Sequence, residues 1–233
     1  MDNVLYIGNP SYSSWSLRGW LLFEKFGLPV ETVTVSFLGE PVATRLGALL
    51  PARTVPALKL ADGTIIWDSL AIAEELASRH PEAGLWPDAP AARAVARSLA
   101  AEMHSGFAAL RTDCPMNLTT AYRDVPVSDQ VRDELRRLER IWDHARRLHG
   151  QNTPWLCGAY CAADAFFAPV AARIAGYGLE ISASAQAYVG AHLADPAFQR
   201  WQAMGHAFGE RLARYERDCP RLPWPAPATR AGG

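Results

Sequence analysis

Residues 1–80 switch between two hydrophobic periods. Val4, Leu5, Tyr6 and Ile7 form an apolar run of strand length. Over residues 15–26, apolar side chains recur at Leu17, Trp20, Leu21 and Leu22, which predicts a helix that stops at Gly27 with Pro29 beyond it. Residues 31–35 alternate Thr and Val, the pattern of a half-buried strand. Residues 42–50 predict a short helix ended by Pro51. Residues 57–60 and 65–67 predict two strands around the turn signal Asp62-Gly63. Asp68 then stands where it can cap a helix over 69–79. A βαβ unit followed by a hairpin and a helix predicts a mixed four-stranded sheet with helices on its faces.

The texture changes after His80. Pro81, Gly84, Pro87 and Pro90 punctuate a linker over 81–90. Beyond it, residues 91–110, 129–148, 164–177, 183–193 and 196–217 read as helices, and no strand is expected. Ser128-Asp129 and Asp195-Pro196 are helix-start signals. The expected class is α/β followed by all-α: a thioredoxin-like domain over 1–80, the linker, an all-helical domain over 91–217, and an irregular Pro/Gly-rich tail over 218–233.

Composition narrows the function classes. The 233 residues allow one large domain or two small ones, and a hydrophobic fraction of 49% is enough for a packed core. With 23 basic and 24 acidic residues the net charge is −1, which leaves no electrostatic footprint for nucleic acid or an anionic membrane. No apolar run approaches the ~20 residues that span a bilayer. The first residues read as a strand rather than a leader peptide, so the cytoplasm is the expected location. Cys114, Cys157, Cys161 and Cys219 are scattered and read as ordinary thiols, with no metal site. His80, His144, His149, His192 and His206 form no cluster and are expected on the surface.

Three short stretches carry candidate chemistry. Ser11, Ser13 and Ser14 precede a helix, where serine hydroxyls serve as caps. Val55-Pro56 precedes a strand. Asp68-Ser69 opens a helix whose free backbone N–H groups suit an anion. Farther on, Met103, Phe107 and Arg111 share a helical face, with His104 beside them. Met103 and Phe107 suit a core. His104 and Arg111 resist unpaired burial, so they are candidates for contact with an electrophile or an anionic substrate.

Several motifs recur in one order: Tyr12-Ser13-Ser14-Trp15-Ser16-Leu17-Arg18, Val55-Pro56-Ala57-Leu58, Trp67-Asp68-Ser69-Leu70-Ala71-Ile72-Ala73-Glu74 and Ala163-Asp164-Ala165-Phe166-Phe167-Ala168-Pro169. Over about residues 4–210 this series resembles the glutathione transferase superfamily. Met103-His104-Ser105-Gly106-Phe107 and Cys114-Pro115-Met116-Asn117 are similar to a bacterial subgroup of serine-type members, near the zeta and theta-like classes. The resemblance implies a homodimeric enzyme with glutathione as co-substrate, acting on a small electrophile. It implies that Ser11, Ser13 or Ser14 donates to the glutathione sulfur, with Ser13 favoured and Ser14 next. It implies that Val55, beside a cis Pro56, pairs with the cysteinyl unit. Ser69 is implied to hold the γ-glutamyl carboxylate, with Asp68 near the ammonium group. The second substrate is implied to lie between the domains, against Met103, His104, Phe107 and Arg111. A zeta-like glutathione-dependent isomerase and a non-catalytic scaffold protein are the alternatives.

The chemistry asks for a thiolate near neutral pH. A thiol of pKa ~8.5, stabilised by a charge-assisted hydrogen bond of ~1.5–3 kcal/mol and a helix N-terminus of ~0.3–1 kcal/mol, falls to roughly 6–7. Three departures stand out. Asp68 stands where Glu is commoner in the family, one methylene shorter but keeping the charge. Cys161 replaces the usual Ser or Thr cap of the buried helix, which predicts a cap weaker by ~1 kcal/mol. Residues 51–54 also lack the family's glycine and lysine.

Overall fold

The computed structural model describes residues 3–150 and 152–224. β1 (Val4–Gly8), α1 (Ser14–Glu24), β2 (Glu31–Val35), α2 (Val42–Arg45), β3 (Ala57–Lys59), β4 (Ile65–Ile66) and α3 (Ser69–Arg79) make the first layer set. The sheet order is β2-β1-β3-β4, with β1 parallel to β2 and antiparallel to β3, and β3 antiparallel to β4. This is the expected mixed four-stranded sheet. Its period of two divides the apolar residues between two faces. Leu5, Ile7 and Leu58 enter the main core under α1 and α3, while Ala57 joins Val35, Leu46, Leu49 and Val55 in a smaller cluster.

The helical part comprises α4 (Pro90–Ser105), α5 (Ala108–Asp113), α6 (Asp129–His149), α7 (Ala162–Tyr177), α8 (Ala183–Ala194) and α9 (Pro196–Phe208). Two short strands, β5 (Ala121–Tyr122) and β6 (Arg221–Leu222), pair antiparallel. The chain thus joins a thioredoxin-like domain to a helical one. Ser128 and Asp195 cap α6 and α9 as their sequence signals predict.

Four local expectations change. The helix expected over 42–50 is a four-residue α2 followed by a 3-10 turn at Gly47–Leu49. The helix expected over 91–110 breaks at Gly106, after which Phe107 takes a left-handed conformation (φ 59°) and α5 begins. The new helix start is held from afar: Ala109 N and Leu110 N donate to the Glu134 carboxylate on α6, at 3.1 and 2.7 Å. The helix expected over 196–217 ends at Phe208, with Gly209 left-handed beyond it. The chain then straps back over the molecule. Arg217 donates to the backbone oxygens of Thr112 and Asp113, and β6 pairs with β5 where no strand was expected. Part of the tail expected over 218–233 is therefore ordered, and its residues 225–233 lie outside the described residues.

His192 is also corrected: it is buried rather than on the surface. It shares the inward stripe of α8 with Ala185, Tyr188 and Val189, and its ring stands edge-on to Tyr188 and Trp155. Burial lowers its pKa to about 3, so it is neutral.

Helix α7 runs through the middle of the helical part, buried along nearly its whole length. Its first turn carries Asp164, whose carboxylate accepts from Cys161 N (2.9 Å), Leu156 N (3.2 Å) and Tyr188 OH (2.8 Å). The acidic half of this capping box forms although residue 161 carries a thiol. Burial pushes the Asp164 pKa up to about 6, and the three donors pull against it. A carboxyl whose folded pKa lies above its unfolded value favours folding at low pH, and that contribution is lost as pH rises through about 6. Tyr188 offsets the cost once the group ionises. Tyr188→Phe is therefore expected to destabilise the fold by about 1.5–3 kcal/mol at about pH 8, where the bond meets a charge, and by about 1 kcal/mol at about pH 5. Urea unfolding at the two pH values measures both; equal losses would show that the bond does not sense the carboxylate's charge.

Candidate functional site

The first turn of α1 is built by a tight loop. Asn9 O accepts from Tyr12 N (3.1 Å) and Ser13 N (2.8 Å), and Asn9 Oδ1 accepts from Ser11 N (2.9 Å). Ser13 is the N-cap: its Oγ accepts from Ser16 N at 3.3 Å. The same hydroxyl donates to Ser16 Oγ at 2.8 Å, and Ser16 Oγ in turn accepts from Gly8 N at 2.8 Å. Ser14, the first helical residue, accepts from Arg173 Nη2 of α7 at 3.2 Å. Ser11 points the other way. It is buried, its Oγ has no hydrogen-bond partner, and it lies against Gly205 of α9.

Ser13 and Ser14 open onto a cleft of about 440 Å³ between the sheet and the helical part. Trp15 forms one wall, Arg111 of α5 and Arg173 of α7 another, and Tyr215 of the returning tail closes a third by stacking on Tyr12 with ring centroids 4.8 Å apart. Among the described residues no Asp or Glu lines this cleft.

The positive charges lack direct ion-pair partners among the described residues, although Asp68 acts on Arg18 and Glu134 on Arg111 without contact. Arg173, only 3% exposed, donates to three neutral oxygens: Cys114 O (3.0 Å), Pro169 O (3.2 Å) and Ser14 Oγ. Burial, then the nearby Arg111, pulls its pKa down to about 10, so it remains a cation at neutral pH. Arg111 is half-buried, stacks on Trp15 at 4.1 Å from the ring centroid, and reaches only His104 O at 3.4 Å. Arg18 is fully buried between Trp15 and Phe166, and its Nε and Nη1 have no partner. Burial and the two other arginines lower its pKa. Among the described residues none of the three makes an ion pair with a carboxylate. Such charge is costly until an anion meets it.

The other expected residues separate into three places. Val55 and Pro56 are joined by a cis bond and are buried just ahead of the interior strand β3, with Pro56 packed against Gly19 of α1. A Cβ at Gly19 would stand 2.9 Å from Pro56, so glycine is what lets helix and turn meet. Asp68 caps α3 by accepting from Leu70 N at 2.9 Å, while Ser69 Oγ is buried and has no hydrogen-bond partner among the described residues. Met103 and Phe107 are corrected: both are core residues that do not line the cleft, Met103 on the buried face of α4 and Phe107 at the left-handed residue after the Gly106 break. His104 also leaves the second-substrate wall. Its Nε2 lies 3.3 Å from Asp68 Oδ2, and its ring stands edge-on to Trp15 at 5.1 Å. Burial lowers the His104 pKa, Asp68 opposes this, and Arg18 and Arg111 add to it. Of the four expected second-substrate residues, Arg111 alone lines the cleft.

Arg173, Arg18 and Tyr215 escaped the sequence reading. Arg173 did leave a signal, the one basic residue in the otherwise largely apolar α7. Cys114 lies beside Arg173, but burial pushes its thiol up to about 11, so it does not compete as a thiolate.

Residues 12–79 match the family described as glutathione S-transferase, N-terminal domain. A probable maleylacetoacetate isomerase of Caenorhabditis elegans is 36% identical over 104 residues, 45% of this chain and 47% of that protein. The maleylacetoacetate isomerase of Rattus norvegicus is 34% identical over 111 residues, 46% of this chain and 50% of that protein. These alignments thus span about half the length of the curated relatives they match. Among solved structures, a glutathione transferase homologue from Burkholderia with bound glutathione has a TM-score of 0.67 at 23% identity, covering 89% of this chain and 100% of that one. Ure2p in complex with glutathione has a TM-score of 0.65 at 21% identity, covering 85% of this chain and 97% of that one.

Gly205 supports the serine loop from behind. A Cβ there would meet Ser11 Oγ at 2.7 Å and Ser11 N at 3.0 Å. Gly205→Ala is expected to cost about 1–3 kcal/mol by overpacking and to shift the amide resonances of residues 9–16. Thermal unfolding with an NMR map checks both; a silent loop would show that α9 does not buttress it.

Proposed function

We propose, from the premise that residues 12–79 are a glutathione S-transferase N-terminal domain and that the chain has the glutathione transferase fold, that this protein is a glutathione-dependent enzyme acting on a small anionic electrophile. One observation carries the reading. The two serine hydroxyls at the start of α1 open into an acid-free cleft whose other polar wall is arginine. A hydroxyl that donates to sulfur stabilises the thiolate over the thiol, and the helix N-terminus and the arginines add charge of the right sign. The thiol proton leaves to water, so no separate base is needed.

The parts of glutathione divide among the remaining positions. The Val55 backbone, beside the cis Pro56, takes the cysteinyl unit in the manner of an added strand. The start of α3, with the Ser69 hydroxyl and Asp68, takes the γ-glutamyl carboxylate and ammonium. The electrophile lies in the cleft, its negative group on Arg111 and its body against Trp15 and Tyr215.

Two reactions start from the same thiolate. In a transfer, the new carbon–sulfur bond stays in the product. In an isomerisation it breaks again after rotation about the former double bond, and glutathione returns. The isomerase is the second reading, and the names of the curated relatives favour it. Mass spectrometry of the products separates the two: a stable conjugate supports transfer, and recovered glutathione with a rearranged substrate supports isomerisation.

Two measurements test the site. The variant carrying both Ser13→Ala and Ser14→Ala is expected to raise the pKa of bound glutathione by roughly one to two units. Thiolate absorbance against pH reads this, and an unshifted pKa would remove serine activation. Arg111→Gln is expected to raise KM about tenfold for an electrophile bearing a carboxylate, and to leave KM for a neutral one within about twofold. Equal effects on both would exclude Arg111 as the anion contact.

A further inference from the structure

We propose that Ser14 is the hydroxyl that meets the glutathione sulfur, and that Arg173 is its positioning residue. The inference rests on the proposed glutathione site and goes beyond it by choosing between the two serines and adding a group from the helical part. Both serines line the cleft, but their hydrogen bonds differ. The Ser13 hydroxyl is committed within the loop. Its oxygen accepts from Ser16 N and its hydrogen goes to Ser16 Oγ, which is anchored in turn by Gly8 N. Turning that hydrogen outward would break the buried bond to Ser16 Oγ that links this chain. The Ser14 oxygen accepts from Arg173 Nη2, and its own hydrogen has no acceptor among the described residues. It is free to point into the cleft.

Arg173 improves this donor in two ways. A hydroxyl that accepts from a cation becomes a stronger donor through its own hydrogen. The guanidinium is also fixed, because Nε and Nη1 are held by Cys114 O and Pro169 O in the rigid fork that only arginine offers. The oxygen of Ser14 is therefore pinned while its hydrogen remains available. Arg173 is nine-tenths or more buried and meets no carboxylate, so its charge is balanced once an anion forms in front of Ser14. The thiolate is that anion. Arg173 acts through Ser14 and does not itself touch sulfur. The serine keeps its proton throughout, and the thiol proton passes to water.

The test reads the thiolate absorbance of bound glutathione against pH in the full chain. Ser14→Ala is expected to raise the thiol pKa by about one unit or more, a tenfold loss of thiolate near neutrality, and Ser13→Ala by clearly less. Ser14→Thr, which keeps the hydroxyl, is expected to recover most of the shift. Arg173→Lys keeps the charge but loses the fork; it is expected to raise the thiol pKa by about half a unit or more in the Ser14 background and to add little to Ser14→Ala. A merely structural Arg173 would lower thermal stability without this coupling. If Arg173→Lys does not fold, the comparison of Ser13→Ala, Ser14→Ala and Ser14→Thr decides alone. A pKa that rises for Ser13→Ala and not for Ser14→Ala overturns the inference and leaves serine activation standing. A wild-type protein that binds no glutathione overturns both.

Discussion

Helix α1 is the constraint on which the rest of the molecule depends. It lies between the sheet and α7 and is buried on nearly every side, so each of its ends has to be matched by a different part of the chain. At its first turn the Asn9 loop and the Ser13 cap set the direction of the cleft-facing hydroxyls. At its middle, Gly19 lets Pro56 approach to the distance at which a methyl group would clash. At its last turn, Lys25 pairs with Asp195 at the start of α9 and stands over the Tyr160 ring. Displacing α1 would therefore move the serine loop, the Val55–Pro56 turn and the contact between the two parts together.

That arrangement also decides where charge collects. Arg18 on α1 and Arg111 on α5 lie over the Trp15 ring, Arg18 also faces Phe166, and Arg173 on α7 reaches Ser14; among the described residues none has a carboxylate ion-pair partner. Each is held by ring faces or neutral oxygens, which keep the cation in place without cancelling it. The net charge of the chain is −1, so this local excess is invisible in composition. The acids that act on this cluster are already engaged: Asp68, which acts on Arg18, caps α3 with one oxygen and faces His104 with the other, and Glu134, which acts on Arg111, accepts from Ala109 N and Leu110 N. The candidate thiol site and the candidate substrate wall thus share one positive field, and Asp68 at the start of α3 bounds it on the Arg18 side.

The extent to which the site was legible follows the range of its contacts. Ser13, Asp68 and Val55-Pro56 were readable because caps and X–Pro bonds are local: the residue and the backbone it serves lie within a few positions. Met103, His104 and Phe107 were placed in the cleft by extending one helical period through Gly106. The break there is stabilised by Glu134 on another helix, 25 residues beyond Ala109, and no local pattern reports such a cap. The tail misled for the same reason, since Arg217 and β6 owe their positions to partners about 100 residues away.

The sequence by itself determined the mixed sheet, the order of its strands and helices over residues 1–80, and the capped starts of α3, α6 and α9, because hydrophobic period, turn residues and caps act over a few residues each. Only the tertiary structure decided which hydroxyl of the Ser13–Ser14 pair is free, which arginines face the cleft and where His104 points. Those outcomes depend on one helix laying its side chains against another. Arg173 looks like an anomaly in an apolar helix until α7 lies against α1, and then its guanidinium lies within hydrogen-bonding distance of Ser14.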